Sequence, residues 1–81
     1  MNIFQNHIQA LVFCAHSPIS IEEIQRCLQE ALGMEEILVS DVLEAIEEIN
    51  ERLLEQNFAF QIYAIGGGYQ FLTKPEYQDT V

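Results

Sequence analysis

The residue types most able to do chemistry do not converge on a site in this sequence. Cys14 and Cys27 lie thirteen positions apart, a spacing that matches no zinc or thiol-redox motif. Cys14 and His16 are close along the chain, but residues two apart do not share a helix face. His7 lies further back, within the first predicted helix. We therefore expect no metal site, and we expect both cysteines to be reduced thiols packed as small hydrophobic side chains.

The carboxylates and glycines are equally uninformative about catalysis. Adjacent glutamates diverge on a helix, whereas hydrolytic carboxylates must face each other across a cleft; the adjacent pairs are Glu22-Glu23, Glu35-Glu36 and Glu47-Glu48. Gly66-Gly67-Gly68 lies between two predicted strands, so it lacks the helix N-terminus that makes a glycine loop a phosphate cradle. The sequence therefore predicts no catalytic residue, no cofactor and no enzymatic activity.

The charge balance excludes several kinds of partner. Thirteen acids face three bases, Arg26, Arg52 and Lys74, which gives a formal net charge of −10. So few cations cannot neutralise many phosphates, and that neutralisation supplies most non-specific affinity for nucleic acids and for anionic membranes. No apolar run approaches the roughly 18–20 residues of a membrane-spanning helix, and the N-terminus does not resemble a secretory signal. We expect a cytoplasmic protein that binds neither nucleic acid nor membrane directly.

Hydrophobic spacing predicts three helices, over residues 2–15, 20–32 and 40–56. Pro18 ends the first of them. Ser20 is predicted to cap the second helix at the backbone of Glu23, while the Glu23 carboxylate reaches back, and Gly33 ends it. Ser40 is predicted to cap the third helix.

The period then changes from helical to alternating, which predicts two strands. The first covers residues 58–65, with Phe58, Phe60, Ile62 and Ala64 on one face and Ala59, Gln61, Tyr63 and Ile65 on the other. The three glycines allow a tight turn, and the second strand follows over residues 69–73, until Lys74-Pro75 ends the pairing. Pro18-Ile19-Ser20 is placed to add a short third strand at the edge.

Three helices followed by a hairpin predict one α+β domain, residues 1–81, of the winged helix-turn-helix type. A two-stranded hairpin is marginal alone, so one face must pack on the helices. The predicted core comprises Ile8, Leu11, Val12, Ile24, Leu28, Val42, Ile46, Ile49, Leu53, Phe60 and Ile62. A helix-turn-helix usually places its second helix in the major groove, but here that helix carries Asp41 and five glutamates. We therefore favour a module that binds proteins, and a DNA-binding transcriptional regulator remains the alternative.

The distribution of aromatic residues is the remaining indication of function. Aromatic residues concentrate in the first helix and the hairpin, and the outer face of the hairpin is not polar. Such a face indicates a contact patch for another protein. For that partner surface we single out Phe4, Tyr63, Ile65 and Tyr69, and we note Tyr77 as an anchor for the tail.

Four segments of the chain resemble the segregation and condensation protein B (ScpB) family. They are IQALVFCA at residues 8–15, SPISIEEI at residues 17–24, IGGGYQF at residues 65–71 and TKPEY at residues 73–77. Family members open with a pattern like IEALLFAS and PLS.EEI, continue with an acidic third helix and close with GGYQL.TKPEY. The match covers almost the whole chain in the same order. It departs from the family pattern at Cys14-Ala15-His16 and in a longer 34–39 connection.

The resemblance implies a non-enzymatic subunit of the bacterial condensin-like complex, which acts in chromosome condensation and segregation with an SMC ATPase and the kleisin ScpA. Members of the family have two winged-helix domains. The first mediates homodimerisation and the second supplies much of the kleisin contact. Because 81 residues suffice for one such domain, the resemblance implies the N-terminal domain of a longer protein.

Overall fold

The computed structural model describes residues 2–76 and confirms the predicted element order. Helix α1 covers Ile3–Cys14, α2 covers Ile21–Leu32 and α3 covers Val39–Glu55. Strands β1, Phe60–Ile65, and β2, Gly68–Thr73, form an antiparallel hairpin. The architecture is the α+β winged helix that the element order predicts.

Polar caps fix the starts of the first two helices. The Asn2 side-chain oxygen accepts a hydrogen bond from the backbone N–H of Gln5 at 2.8 Å, and the Ser20 hydroxyl accepts one from the backbone N–H of Glu23 at 3.1 Å. Gly33 ends α2 in the left-handed conformation, with φ of 66°. The expected return bond from Glu23 is wrong, because its carboxylate contacts Arg26 instead.

Helix α3 begins two residues earlier than the predicted Ser40 cap requires, and it has no side-chain cap. Leu38 is the N-cap residue, and its carbonyl accepts from the backbone N–H groups of Asp41 and Val42. Ser40 already lies inside the first turn, so its predicted capping role is wrong. The preceding loop is fixed by α2 instead: Gln25 donates to the Ile37 carbonyl at 2.7 Å and Gln29 donates to the Glu35 carbonyl at 2.9 Å.

The hairpin register pairs Phe60 with Thr73 and Ile65 with Gly68. Gly66 and Gly67 form the two-residue turn with φ of 56° and 78°, values that glycine adopts without strain. The first strand starts two residues later than predicted, since Phe58 still donates its backbone N–H to Leu53 at the exit of α3. The third edge strand is present as a single bridge, in which Ile19 and Tyr69 exchange backbone hydrogen bonds of 2.9 and 2.8 Å.

The core lies between the three helices and one face of the hairpin. Nine of the predicted core residues are buried: Ile8, Val12, Ile24, Leu28, Val42, Ile46, Ile49, Leu53 and Ile62. Leu11 is half-buried against them. The core prediction is wrong for Phe60, which is 37% exposed because it lines an open cavity beside α1. Ile37 and Ala45 are buried although the prediction omitted them.

Among residues 2–76, no helix combines the length and the apolar composition needed to cross a lipid bilayer. Tyr77, the predicted anchor of the tail, lies outside the described residues.

Candidate interaction surfaces

The structure assembles no chemical centre from the residues considered above. Within residues 2–76, no three side chains among His, Cys, Asp and Glu are placed to hold one metal ion. Cys14 is exposed and Cys27 is half-buried, and both are free thiols. The expectation that Cys14 packs as a small hydrophobic side chain is therefore wrong, because it is exposed on α1.

The four predicted partner residues do not form one patch. Cross-strand pairing places Tyr63 and Ile65 on the outer face of the hairpin, together with Leu72. Tyr69 lies on the opposite, inner face and packs against the core, as the partner of Ala64 in the register. Phe4 also packs against the core, but from α1. Their role in partner binding stays a prediction, and only Tyr63 and Ile65 share an accessible surface.

Four phenylalanines form a continuous aromatic surface that the sequence did not single out, which we call the phenylalanine face. Phe13 on α1 meets Phe71 on β2 with ring centroids 6.2 Å apart. Phe60 meets both Phe71 and Phe58 at 5.6 Å. Phe13 is 73% exposed and Phe58 is 43% exposed. Such edge-to-face and tilted ring contacts fix the side chains in place while leaving their outer sides open to solvent.

A shallow cavity of about 400 Å³ runs along this face, and no charged residue lines it. Phe13, Phe60 and Phe71 line it together with Asn6, Gln9 and Ala10 of α1. The sequence does contain the signal: Phe13 falls off the stripe formed by Ile8 and Val12 on α1. A large aromatic side chain outside the core stripe of its helix indicates a surface position.

A second surface has the opposite character, and we call it the acidic groove. Asp41, Glu44 and Glu48 are exposed and project from one side of α3, since they are three and four positions apart. They line a cavity of about 330 Å³ together with the apolar side chains of Phe4, Met34 and Ala45. Asn2 and Gln5 of α1 complete the lining. The groove therefore combines three carboxylates with apolar surface.

Gln5 is the unusual residue of the acidic groove because it is polar and only 3% exposed. Its side-chain Nε2 donates a hydrogen bond to Glu48 at 2.5 Å. Its Oε1 is buried and has no hydrogen-bond partner. An orphaned buried acceptor costs about 1–3 kcal/mol of stability, so most proteins avoid one.

The three basic residues present little free positive charge to a nucleic acid. Arg26 is paired with Glu23 and Glu30, and the hydrogen bond and charge of Glu23 raise the pKa of its guanidinium. Arg52 is half-buried, with Nε and Nη2 shielded from solvent. Lys74 is only 6% exposed. The third helix therefore presents several glutamates and one partly shielded cation, Arg52, which does not suit contact with phosphates.

Sequence comparisons point to one family. The family model described as segregation and condensation complex subunit ScpB matches residues 6–81. A curated relative, segregation and condensation protein B of Moorella thermoacetica, is 33% identical over 70 residues. That alignment covers 86% of this chain and 32% of the relative, so the chain spans about a third of the relative's length.

Solved structures show the same architecture. A conserved hypothetical protein from Chlorobium tepidum is similar with a TM-score of 0.77 at 30% identity, over 95% of this chain and 44% of that one. ScpB from Mycobacterium tuberculosis is similar with a TM-score of 0.70, over 95% of this chain and 44% of that one. At 13% identity, the second likeness concerns the fold alone.

Proposed function

Since this chain belongs to the family of segregation and condensation complex subunit ScpB, we propose that it is a dimerising, non-enzymatic assembly module of an SMC–kleisin complex. It would act in chromosome condensation and segregation, in the cytoplasm, through contacts with other proteins. Its direct partners would be a second copy of itself and the kleisin ScpA, and through ScpA the SMC ATPase. The proposal requires no metal, no cofactor and no catalytic step.

The phenylalanine face is the observation that carries the proposal of self-association. Two copies with a net charge of −10 repel each other, so they approach most easily where neither presents a charge. No charged side chain lines the cavity of the phenylalanine face. Aromatic residues are also enriched at protein interfaces, where they bury a large area with few rotatable bonds.

The outer face of the hairpin is the second candidate surface for self-association. Ile65 is 45% exposed and lies beside Tyr63, Leu72 and Pro75 around a cavity of about 220 Å³. Replacing Tyr63 and Ile65 by glutamate tests this candidate. Neither substitution touches the buried core, so helical content should be retained.

The experiment that tests the proposal is molar mass by light scattering across a hundredfold range of concentration. We expect a mass near twice the 9.3 kDa of one chain. Phe13→Glu should shift the protein to monomer while retaining its helical content, because Phe13 is largely exposed. Ile3→Glu is the matched control: Ile3 is also on α1 and 68% exposed, but it does not line the cavity of the phenylalanine face.

The outcomes separate the two surfaces. Loss of dimer with Phe13→Glu and retention with Ile3→Glu supports the phenylalanine face. Loss with Tyr63→Glu/Ile65→Glu alone moves the interface to the outer face of the hairpin. A strict monomer at every concentration contradicts self-association by this domain and leaves only the fold and the family.

DNA binding by this domain is the alternative, and the accessible charges do not favour it. Fluorescence anisotropy with a labelled duplex at low salt tests it directly. Saturable binding in the micromolar range would overturn the electrostatic argument, whereas a flat titration agrees with it.

A further inference from the structure

We propose that the acidic groove is a docking site for a basic segment of another protein. A lysine or arginine side chain of that segment enters between Asp41, Glu44 and Glu48. A neighbouring apolar side chain rests on Phe4 and Met34. This surface is separate from the phenylalanine face, so the inference does not depend on self-association.

The orphaned oxygen of Gln5 points to a hydrogen-bond donor as the missing partner. Gln5 lines the groove and is only 3% exposed, and its Nε2 already donates to Glu48. Its Oε1 remains without a donor. Lysine and arginine side chains carry only donors, so either one can supply the bond that Oε1 lacks and contact the neighbouring carboxylates.

The charges around the groove favour a cation. In the described part of the chain, the ion pairs between side chains are those of Arg26 with Glu23 and Glu30, on α2. The carboxylates of Asp41, Glu44 and Glu48 therefore face the groove without a counter-ion. The N-terminal ends of α1 and α3 each carry about half a positive charge, which repels a cation. The three carboxylates outweigh this repulsion because they carry three negative charges.

The ligand must also be partly apolar, which argues against a bare metal ion. Calcium and magnesium require several oxygens converging at one point, and no such group of carboxylates exists within residues 2–76. Phe4, Met34 and Ala45 contribute apolar surface that a hydrated ion would leave uncovered. A protein segment with cationic and apolar side chains on one face satisfies both parts of the groove.

A second copy of this chain does not fit the groove. It would have to offer an unpaired, exposed cation, but Arg26 is already paired with Glu23 and Glu30, Arg52 is half-buried and Lys74 is buried. Its own acidic surface would be repelled. The occupant is therefore a different protein with a basic amphipathic segment.

The test is a fluorescence anisotropy titration with a labelled synthetic peptide that forms a helix with lysine and leucine on one face. The full chain should bind it saturably. Asp41→Asn/Glu44→Gln should weaken binding about tenfold, since two exposed ion pairs are lost. Glu47→Gln/Glu51→Gln is the matched control, because it removes the same charge from α3 outside the groove. It should change binding by less than about twofold.

A second variant tests the role of the buried oxygen. Gln5→Met keeps a side chain of similar length and removes both the Oε1 acceptor and the Nε2 donor to Glu48, whose exposed carboxylate can bond to water instead. Peptide binding should weaken about fivefold while the melting temperature is unchanged or higher. A peptide with glutamine in place of lysine should not bind. A peptide with serine in place of leucine should bind much less tightly.

Four results would overturn the proposal. These results are an absence of saturable binding to the unaltered chain, equal losses of peptide affinity from the two pairs of α3 substitutions, unchanged affinity after Gln5→Met, and equal affinity for the peptides with and without leucine. The last of these would mean that only overall charge is recognised. Phe13→Glu must leave peptide binding unchanged, which separates this surface from the phenylalanine face.

Discussion

At the scale of single residues, the tightest constraint lies where two backbone segments meet beside the hairpin turn. A Cβ added at Gly68 would lie 2.6 Å from the carbonyl oxygen of Ile19 and 2.7 Å from its carbonyl carbon. Backbone atoms cannot move aside as a flexible side chain can. The close approach is what allows Ile19 to pair with Tyr69, so glycine at position 68 is required by space and not by its dihedral angles.

Gly68→Ala should therefore separate Ile19 from Tyr69 and lower the free energy of unfolding by about 3 kcal/mol. For a domain of this size, the melting temperature should fall by roughly 15 °C, a shift that calorimetry measures. Hydrogen exchange should show loss of protection at the Tyr69 amide, which donates to Ile19.

Gly67→Ala is the control for this substitution. Gly67 has φ of 78° and nothing within 4 Å of an added Cβ, so only backbone strain of about 1 kcal/mol is expected. The Tyr69 amide should keep its protection. Equal destabilisation by the two variants would contradict the steric argument.

At the scale of elements, the Asn50 side chain links α3 to the hairpin by hydrogen bonds. Asn50 donates to the carbonyl of Ile62 at 2.9 Å and accepts from its N–H at 2.8 Å. In an antiparallel pair, the backbone N–H and carbonyl groups of successive residues point alternately toward the partner strand and away from it. Tyr69 points these groups away from β1, toward Ile19, so by the register Ile62 points its own groups away from β2. The Asn50 amide thus stands where a third strand would pair.

Asn50→Ala should leave both backbone groups of Ile62 without this partner. We expect the free energy of unfolding to fall by about 2 kcal/mol, which denaturant titration measures. Asn50→Asp should be equally or more harmful, because a carboxylate cannot donate to the Ile62 carbonyl and adds to the negative charge.

Asn6→Ala provides the comparison, since Asn6 is an exposed asparagine in α1. It should change the free energy of unfolding by less than about 0.5 kcal/mol. A similarly small effect of Asn50→Ala would show that the helices hold the hairpin without this clamp.

At the scale of the whole molecule, charge separates two surfaces. The phenylalanine face has no charge lining its cavity, whereas the acidic groove carries three carboxylates. With a net charge of −10, every approach of a second copy is opposed by long-range repulsion. An approaching cationic partner is attracted by the same field.

Salt should therefore affect the two proposed interactions in opposite directions. Raising the salt concentration from about 0.01 M to about 0.1 M shortens the screening length from about 30 Å to about 10 Å. Self-association, followed by sedimentation, should tighten, because the repulsion between copies is screened. Binding of the basic peptide, followed by anisotropy, should weaken. A shift of both in the same direction would mean that the two surfaces are not distinguished by charge.

Much of the fold can be predicted from neighbours along the chain. Helical periods, the Ser20 cap, the Gly33 stop and the glycine turn depend on residues within a few positions of each other. Their local chemistry therefore agrees with the global fold and can be interpreted without any tertiary contact. Strand alternation also assigned the hairpin faces correctly, with Ile62 inward and Ile65 outward. Element order and local signals were enough for the winged-helix architecture.

Only the tertiary structure decided which surfaces are open. Phe60 shares the inward face of β1 with Ile62, yet it lines an open cavity beside α1 and is therefore partly exposed. Ile37 lies in a loop without any period and is buried because α2 holds that loop in place. Gln5 meets Glu48, 43 positions away, only because α1 packs on α3. Periodicity determines the face on which a side chain lies, but its exposure depends on what distant segments place over that face.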